Sequence, residues 1–270
     1  MTDQVARPPC VVAPTITKLP PCAGAVLVTG SHGGLYAGRL AVLARIRAVI
    51  FHDAAVGLDG AGIASLAVLE RLGIAAAAAS HLSCRIGDTE DMLARGRISH
   101  ANAIAGACGV EPGMDVAEAA ARLETAPHHI GEMPEIVEAR LVQRDAARPL
   151  VLIDSASLAD PAQDAGAVVV TGSHGGLIGG DPTRALNAAA FAAAFNDAGI
   201  GIDRAGVGRL TALDARGIAA IAIAASTAHI GEAASTLAGT ISAINATARR
   251  LGADEGMPAR EVLLAWCALP

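Results

Sequence analysis

Two copies of one glycine-rich hexapeptide are the first feature of this sequence that could carry chemistry. Residues 29–34 read Thr-Gly-Ser-His-Gly-Gly, and residues 171–176 repeat all six. The glycines let backbone N–H groups point at an anion, the serine adds a hydroxyl group, and the histidine titrates near neutral pH. The hexapeptide therefore predicts an oxyanion or carboxylate cradle, with these candidate residues: Ser31, His32, Gly33, Gly34, Ser173, His174, Gly175 and Gly176.

Two carboxylates and two cationic side chains occupy matching places downstream of the hexapeptides. Asp53 and Asp197 each close an apolar run, and either could orient a hexapeptide histidine as general acid or base. Ser31 or Ser173 would then be a candidate nucleophile. Arg85 in the first half faces His229 in the second. Arg85 is a candidate substrate-binding residue because its guanidinium fork fits a carboxylate, and His229 is a candidate as its counterpart.

The same residues allow other interpretations. The hexapeptide is also compatible with a tight turn, in which the serine caps a helix and the histidine bonds to backbone. His32, His174, Asp53 and Asp197 could instead bind a metal ion and activate water. An acid after a glycine loop also suggests nucleotide binding, although the Gly-x-Gly-x-x-Gly pattern is absent.

The hexapeptide belongs to a longer internal repeat. Residues 9–124 match residues 149–268 at a nearly constant spacing, including Phe-His-Asp-Ala at 51–54 against Phe-Asn-Asp-Ala at 195–198. The repeat predicts a first α/β repeat at 1–124, a linker at 125–148 with a short helix at 135–144, and a second repeat at 149–270. The halves differ at His52 and His81, which face Asn196 and Ala225.

Apolar runs alternate with helical patterns in each half. Strands are expected at 10–13, 26–28, 48–51, 74–79 and 150–153, and helices at 61–72 and 92–108. Asp59 and Asp203 are expected to cap helices, and Ser99 and Ser242 to start them. This alternation predicts an α/β fold with two homologous parallel-sheet, Rossmann-like units in a pseudo-dimer. Ligands would bind at the carboxyl ends of the strands.

Composition excludes several classes of protein. The chain has 270 residues, 53% hydrophobic, 17% charged and 2% aromatic, with a net charge of −6. Nucleic-acid binding is not expected, because it needs a basic surface and stacking aromatics. No apolar run reaches the roughly 20 residues of a membrane span, and the first nine residues resemble no secretion signal, so a cytoplasmic location is expected.

Cofactor chemistry is also constrained. The five cysteines form no Cys-x-x-Cys pair, which disfavours structural zinc and a disulfide framework. Lys18, the single lysine, lies between prolines, a poor place for a pyridoxal phosphate enzyme. No cofactor is therefore expected.

The function predicted from these residues is catalysis on a small anionic or amide-bearing metabolite, as a hydrolase or lyase. Two alternatives stay open: a non-catalytic sensor or carrier of a small anion or nucleotide, and a metal-dependent hydrolase. The expected partner is a small-molecule substrate, and a homo-oligomer is left open.

Overall fold

A computed structural model describes residues 10–270. Residues 1–9, on which the expectation of no secretion signal depends and which open the predicted first repeat, lie outside the described residues. The chain divides into two compact units. Unit 1 contains the described residues up to Asp53 and Ile63–Ile136, and unit 2 contains Ala54–Gly62 and Val137–Pro270. Across residues 10–270, no helix is long and apolar enough to cross a bilayer.

Unit 1 is built on a five-stranded sheet whose strands are adjacent in sequence order. The first four strands run parallel, and the fifth pairs antiparallel with the fourth. Successive side chains of a strand point to opposite faces, so the central strands are apolar throughout because both faces are buried. The strands are β1 (Val11–Ala13), β2 (Val26–His32), β3 (Ala48–His52), β4 (Ala75–Ala79) and β5 (Ile98–Ala101).

Helices cover both faces of this sheet. One hydrophobic cluster joins alternate strand residues such as Leu27 and Phe51 to the first two helices, and the other joins Val28 and Ile50 to the remaining ones. β4 is five consecutive buried alanines, whose small side chains suit a tightly packed layer. The helices are α1 (Leu35–Leu43), α2 (Ser65–Arg71), α3 (Thr89–Arg95), α4 (Ala103–Ala107) and α5 (Val116–Leu123).

Unit 2 contains a six-stranded sheet with a parallel centre. The two central pairings and the pairing to β7 are parallel, whereas β6 and β11 pair antiparallel at the edges. The order is β11-β10-β9-β8-β7-β6. These strands are β6 (Arg140–Gln143), β7 (Leu150–Ile153), β8 (Val168–His174), β9 (Ala192–Asn196), β10 (Ala219–Ile223) and β11 (Ile241–Ile244).

The helices of unit 2 follow a different pattern between β8 and β9. Two short 3₁₀ turns, Ile178–Gly180 and Pro182–Arg184, occupy that connection, where unit 1 has α1 between β2 and β3. An α-helix therefore follows the first hexapeptide directly but not the second. The α-helices of unit 2 are α6 (Gly208–Asp214), α7 (Ala233–Ala238), α8 (Ala246–Arg250) and α9 (Ala259–Cys267).

Several local expectations are wrong. The helix expected at 92–108 is interrupted by β5, so Ser99 lies in a strand, and Ser242 lies in β11. Tertiary pairing with β4 and β10 overrides the local helical pattern there. The helix expected at 135–144 is absent, and residues 140–143 form β6, because their alternating burial suits an edge strand. The expected helix at 61–72 begins as α2 at Ser65, after a 3₁₀ segment.

The protein is thus α/β, with two mixed sheets of mostly parallel strands, consistent with Rossmann-like units. The predicted strands at 26–28, 48–51, 74–79 and 150–153 lie where the sequence places them. The antiparallel edge strands differ from the purely parallel sheets that the sequence pattern predicts.

Candidate functional site

Three histidines and one carboxylate gather at the carboxyl end of the unit 1 sheet. His32 ends β2 and is the register partner of His52 at the end of β3. Asp53 follows directly, and His81 comes two residues after β4. Parallel strands bring their carboxyl ends to one edge of a sheet, which is why residues so distant in sequence meet here. We call this set the unit 1 histidine cluster.

The backbone fixes the protonation state of His32. Its Nδ1 accepts a hydrogen bond from the Gly34 N–H at 3.1 Å. In the neutral ring the proton must therefore be on Nε2, which makes Nε2–H a donor. Burial and the nearby His52 lower the pKa of His32 to about 4. His32 is thus neutral at pH 7, and its available chemistry is hydrogen-bond donation rather than proton abstraction.

His81 and Asp53 form a dyad in which the carboxylate orients the imidazole. Asp53 Oδ1 accepts from His81 Nδ1 at 3.0 Å and from the His81 backbone N–H at 2.9 Å. Burial raises the pKa of Asp53, but the bonds from His81 and the positive potential of His52 outweigh it, so the pKa is lowered. With Nδ1–H donated to the carboxylate, the Nε2 lone pair is the basic position. The His81 side chain is 20% exposed, so part of the imidazole is in contact with solvent.

The structure pairs Asp53 with His81, a partner that the sequence did not predict. The expected support of a hexapeptide histidine by Asp53 stays a prediction. Two sequence features mark His81: it follows a predicted strand end, and the second half has alanine at the matching position.

His52 lies between the dyad and His32. It is 1% exposed, and its Nε2–H donates to the Cys84 carbonyl at 3.1 Å. Burial lowers its pKa, and the opposing effects of Asp53 and the Cys84 carbonyl do not fully restore it. The second half has Asn196 here, whose Nδ2 donates to the Ala228 carbonyl in the same way. The shared role of this position is therefore to hold the neighbouring loop.

The side-chain hydroxyl groups of the hexapeptide serines accept hydrogen bonds from backbone N–H groups. Ser31 Oγ accepts from the Ile16 N–H at 3.0 Å, and Ser173 Oγ accepts from the Ala156 N–H at 2.9 Å. No hydrogen bond between described residues joins either hydroxyl group to a histidine. A serine nucleophile needs an adjacent base, so this geometry gives the expected nucleophilic role no support.

The glycines of the hexapeptides use most of their polar groups internally. Gly34 and Gly176 donate their N–H groups to the preceding histidine, each at 3.1 Å. Gly175 donates to the Asn196 carbonyl, and the Gly33 carbonyl accepts from Ser65. These bonds match the tight-turn alternative, in which the histidine bonds to backbone, more closely than an open cradle of N–H donors.

The unit 2 counterpart lacks the dyad. Asp197 Oδ1 accepts from the backbone N–H groups of Gly199 at 2.7 Å and Ala225 at 2.8 Å. Ala225 stands where unit 1 has His81, so the carboxylate holds a loop rather than an imidazole. His174 keeps the Nε2–H tautomer, since its Nδ1 accepts from Gly176. The candidates of the second half thus form a framework without a base comparable to His81.

Each carboxylate is followed by a left-handed turn. Ala54, Ala55, Val56 and Gly57 have φ values of 45°, 60°, 64° and 71°. The equivalent residues after Asp197 are also left-handed, with φ between 48° and 74°: Ala198, Gly199, Ile200 and Gly201. Left-handed backbone costs roughly 1–2 kcal/mol for each non-glycine residue. Strain of this kind concentrates at functional sites, and here it directly follows two candidate residues.

The expected substrate-binding side chains are engaged in ion pairs. Arg85 lies 3.7 Å from both Asp88 and Asp91. In unit 2, His229 Nε2 lies 2.8 Å from Asp59 Oδ2, and this hydrogen bond is the main reason for its raised pKa. Asp59 and Asp203 have left-handed φ values of 51° and 55° inside 3₁₀ segments, so they are not the expected helix caps.

Metal binding and thiol chemistry gain no support. Within residues 10–270, no group of three or more His, Cys, Asp and Glu side chains is arranged to hold a metal ion. Cys84 lies beside the cluster, but burial is the largest effect on its thiol and raises the pKa to about 12. Such a thiol is protonated and unreactive at neutral pH.

No family model, no curated protein and no solved structure matches this chain. Among the described residues, the unit 1 histidine cluster combines a carboxylate, the imidazole that it orients and a neutral imidazole donor. Two residues were not predicted from the sequence: His81 in unit 1 and the buried Arg209 in unit 2, whose Nε donates to the Gly176 carbonyl at 3.0 Å.

Proposed function

We propose that this protein is an enzyme that catalyses proton transfer on a small metabolite at the unit 1 histidine cluster. The observation that carries the proposal is the dyad, in which a buried, ionised Asp53 orients the partly exposed His81. A carboxylate that holds Nδ1–H leaves Nε2 as a general base and stabilises the imidazolium once it forms.

His32 complements this base. As a neutral ring with Nε2–H, it would donate a hydrogen bond to an oxygen that gains negative charge during the reaction. Its low pKa keeps it neutral at working pH, so it acts as an electrophile that does not exchange its proton. A base and an oxyanion donor are what proton abstraction next to a carbonyl, or attack of water on one, requires. The proposed class is accordingly a lyase or hydrolase, acting in the cytoplasm without nucleic acid as a partner.

We further propose that the two halves arose by duplication and that only the first kept the catalytic base. The repeated sequences and the corresponding backbone bonds at Gly34 and Gly176 support a common origin. The replacement of His52 and His81 by Asn196 and Ala225 supports the loss. The arrangement of the halves as a pseudo-dimer is part of this proposal.

The experiment is a substrate screen with matched variants. Purified protein is incubated with a metabolite extract, and mass spectrometry follows compounds that disappear or form. H81A introduces the residue that the second half carries, and we expect it to reduce turnover by about 10²-fold or more, as for a lost general base. H128A, at an exposed histidine of the same unit, is the control and should keep full turnover.

The outcomes separate enzyme from carrier. Turnover by wild type and H128A but not by H81A supports the proposal. Turnover that H81A retains would move the base elsewhere. A ligand that binds and is recovered unchanged would favour the non-catalytic carrier.

A further inference from the structure

Arg209 of unit 2 is a buried cation with an unusual environment. The residue is 5% exposed and lies in the first turn of α6, beside the second hexapeptide. Among the described residues, no carboxylate forms an ion pair or hydrogen bond with it. A buried charge is normally paired, because removing it from water without a counter-charge is costly.

Backbone carbonyls satisfy only part of its guanidinium. Nε donates to the Gly176 carbonyl at 3.0 Å, and one terminal nitrogen donates to the carbonyls of Ala185 and Arg184. The other terminal nitrogen donates to no described group. The guanidinium also lies 5.3 Å from the ring centroid of Phe195. One edge of this preorganised guanidinium fork, in a side chain that is 5% exposed, therefore has no acceptor among the described residues.

A second arginine increases the positive potential. Burial lowers the pKa of Arg209 to about 10, and the positive charge of the exposed Arg184 nearby contributes to this shift. Arg209 remains protonated at neutral pH. Two neighbouring cations, one of them buried, repel each other unless an anion lies between or beside them.

In unit 1, the position that matches Arg209 has a different side chain and different surroundings. Ser65 occupies it, and its backbone N–H donates to the Gly33 carbonyl as that of Arg209 donates to the Gly175 carbonyl. In unit 1, α1 packs on this serine so closely that a Cβ on Gly38 would lie 2.3 Å from Ser65 Cβ. Unit 2 has 3₁₀ turns instead of that helix, and an arginine instead of the serine.

We propose that Arg209 binds the oxyanion group of a small metabolite, a carboxylate or a phosphate, beside the second hexapeptide. The anion would accept from the unused terminal nitrogen and neutralise the charge shared with Arg184. A guanidinium recognises both groups through the same paired N–H donors. The site lies within unit 2 and does not depend on the proposed catalysis at His81.

Arg216 provides a matched control. Its two terminal nitrogens donate to the carbonyls of Leu186 and Ala188, at 2.8 and 2.6 Å. It therefore serves the same connection between β8 and β9, but both terminal nitrogens are occupied. A purely structural role for Arg209 would make the two arginines equivalent toward anions.

The test is thermal unfolding of the full chain with inorganic phosphate and, separately, with succinate, against sodium chloride at equal ionic strength. We expect at least one oxyanion to raise the Tm saturably, by about 5 °C or more at about 100 times its Kd. R209M should abolish this rise, whereas R216M should retain it. Which oxyanion acts distinguishes a phosphate ligand from a carboxylate.

A conservative pair keeps the test decisive if R209M does not fold. R209K keeps the charge but lacks the fork, so its oxyanion Kd should rise about tenfold, whereas that of R216K should stay within twofold. The proposal is overturned if neither oxyanion stabilises wild type beyond chloride, or if the Arg209 variants respond as the Arg216 variants do. Turnover does not enter this test, so its result is independent of the catalytic proposal.

Discussion

His32 illustrates how the backbone decides what a titratable side chain can do. Because its Nδ1 accepts from Gly34 N–H, a proton on Nδ1 would oppose another N–H group, in addition to the burial that lowers the pKa to about 4. The unfolded chain has no such constraint, and its His32 titrates near 6.5. Folding and protonation of His32 therefore oppose each other.

Acid should consequently destabilise the protein through His32. Between pH 6.5 and 4 the unfolded chain binds this proton and the folded chain does not, so stability falls as pH falls. The loss from this residue approaches about 3 kcal/mol below pH 4. H32N keeps an acceptor for Gly34 but cannot titrate, so its free energy of unfolding should depend less steeply on pH. Urea denaturation at pH 7 and pH 4.5 measures the difference.

H128N is the control for this titration, since the side chain of His128 is exposed. It should keep the wild-type loss between the two pH values. An H32N variant that loses as much stability as wild type would mean that His32 is protonated in the folded state, and the neutral donor role would then fail.

Residue roles were the least predictable part of the site. Residue types and strand ends indicated that His32, Asp53 and Arg85 lie at loops, but partners depend on loop paths that no local pattern encodes. Asp53 binds His81 because the chain after β4 returns toward β3, and only the pairing of those strands brings them together. The burial of Arg209 could not be predicted from the sequence, because it depends on the absence of a helix between β8 and β9.

At the scale of elements, the strands were predictable and the connections were not. Four-to-seven-residue apolar runs bounded by polar residues identify buried strands, because both faces of the sheet are covered. The edge strands β5, β6 and β11 are short and only partly buried, so their patterns resemble helix or loop. The left-handed turns after Asp53 and Asp197 contain alanine, valine and isoleucine, which normally indicate other conformations.

The turn at Ala54–Gly57 offers a direct test of backbone strain. Val56 has a φ of 64°, which a β-branched residue adopts at a cost. V56G should therefore raise the free energy of unfolding by about 1 kcal/mol, despite the greater flexibility of glycine in the unfolded chain. Urea denaturation of wild type and variant measures this.

V12G is the matched substitution in ordinary backbone. Val12 lies in β1 with 40% exposure, and the same change there should lower stability by about 1 kcal/mol. Opposite signs for the two variants identify strain at Val56. A V56G variant destabilised as much as V12G would show that the left-handed turn stores none.

At the scale of the whole molecule, the sequences of the two units interleave. Ala54–Gly62 belongs to unit 2, although it continues β3 of unit 1 and leads into α2. Within unit 2 the segment is held by the bond from Leu58 N–H to the Ala225 carbonyl at 2.7 Å and by the Asp59–His229 pair. The repeat pattern alone could not reveal that Ala54–Gly62 belongs to unit 2, because it aligns the halves in chain order.

Because the sequences of the two units interleave, we expect a substitution that destabilises unit 1 also to lower the stability of unit 2. A Cβ on Gly30 would lie 2.7 Å from Gly87 Cα, so G30A should destabilise unit 1 by about 1–3 kcal/mol. The single tryptophan, Trp266, is buried in α9 and reports on unit 2. Because both ends of Ala54–Gly62 continue into unit 1, G30A should lower the urea midpoint of Trp266 fluorescence together with that of far-UV circular dichroism.

G106A is the control for this coupling. Gly106 lies in α4, nothing lies within 4 Å of an added Cβ, and alanine favours a helix, so both midpoints should stay the same or rise slightly. Coincident transitions of fluorescence and dichroism in wild type and G30A indicate one cooperative system. If G30A lowers only the dichroism midpoint and leaves Trp266 at its wild-type value, the units unfold independently. Ala54–Gly62 would then position Asp59 for His229 without transmitting stability between the two units.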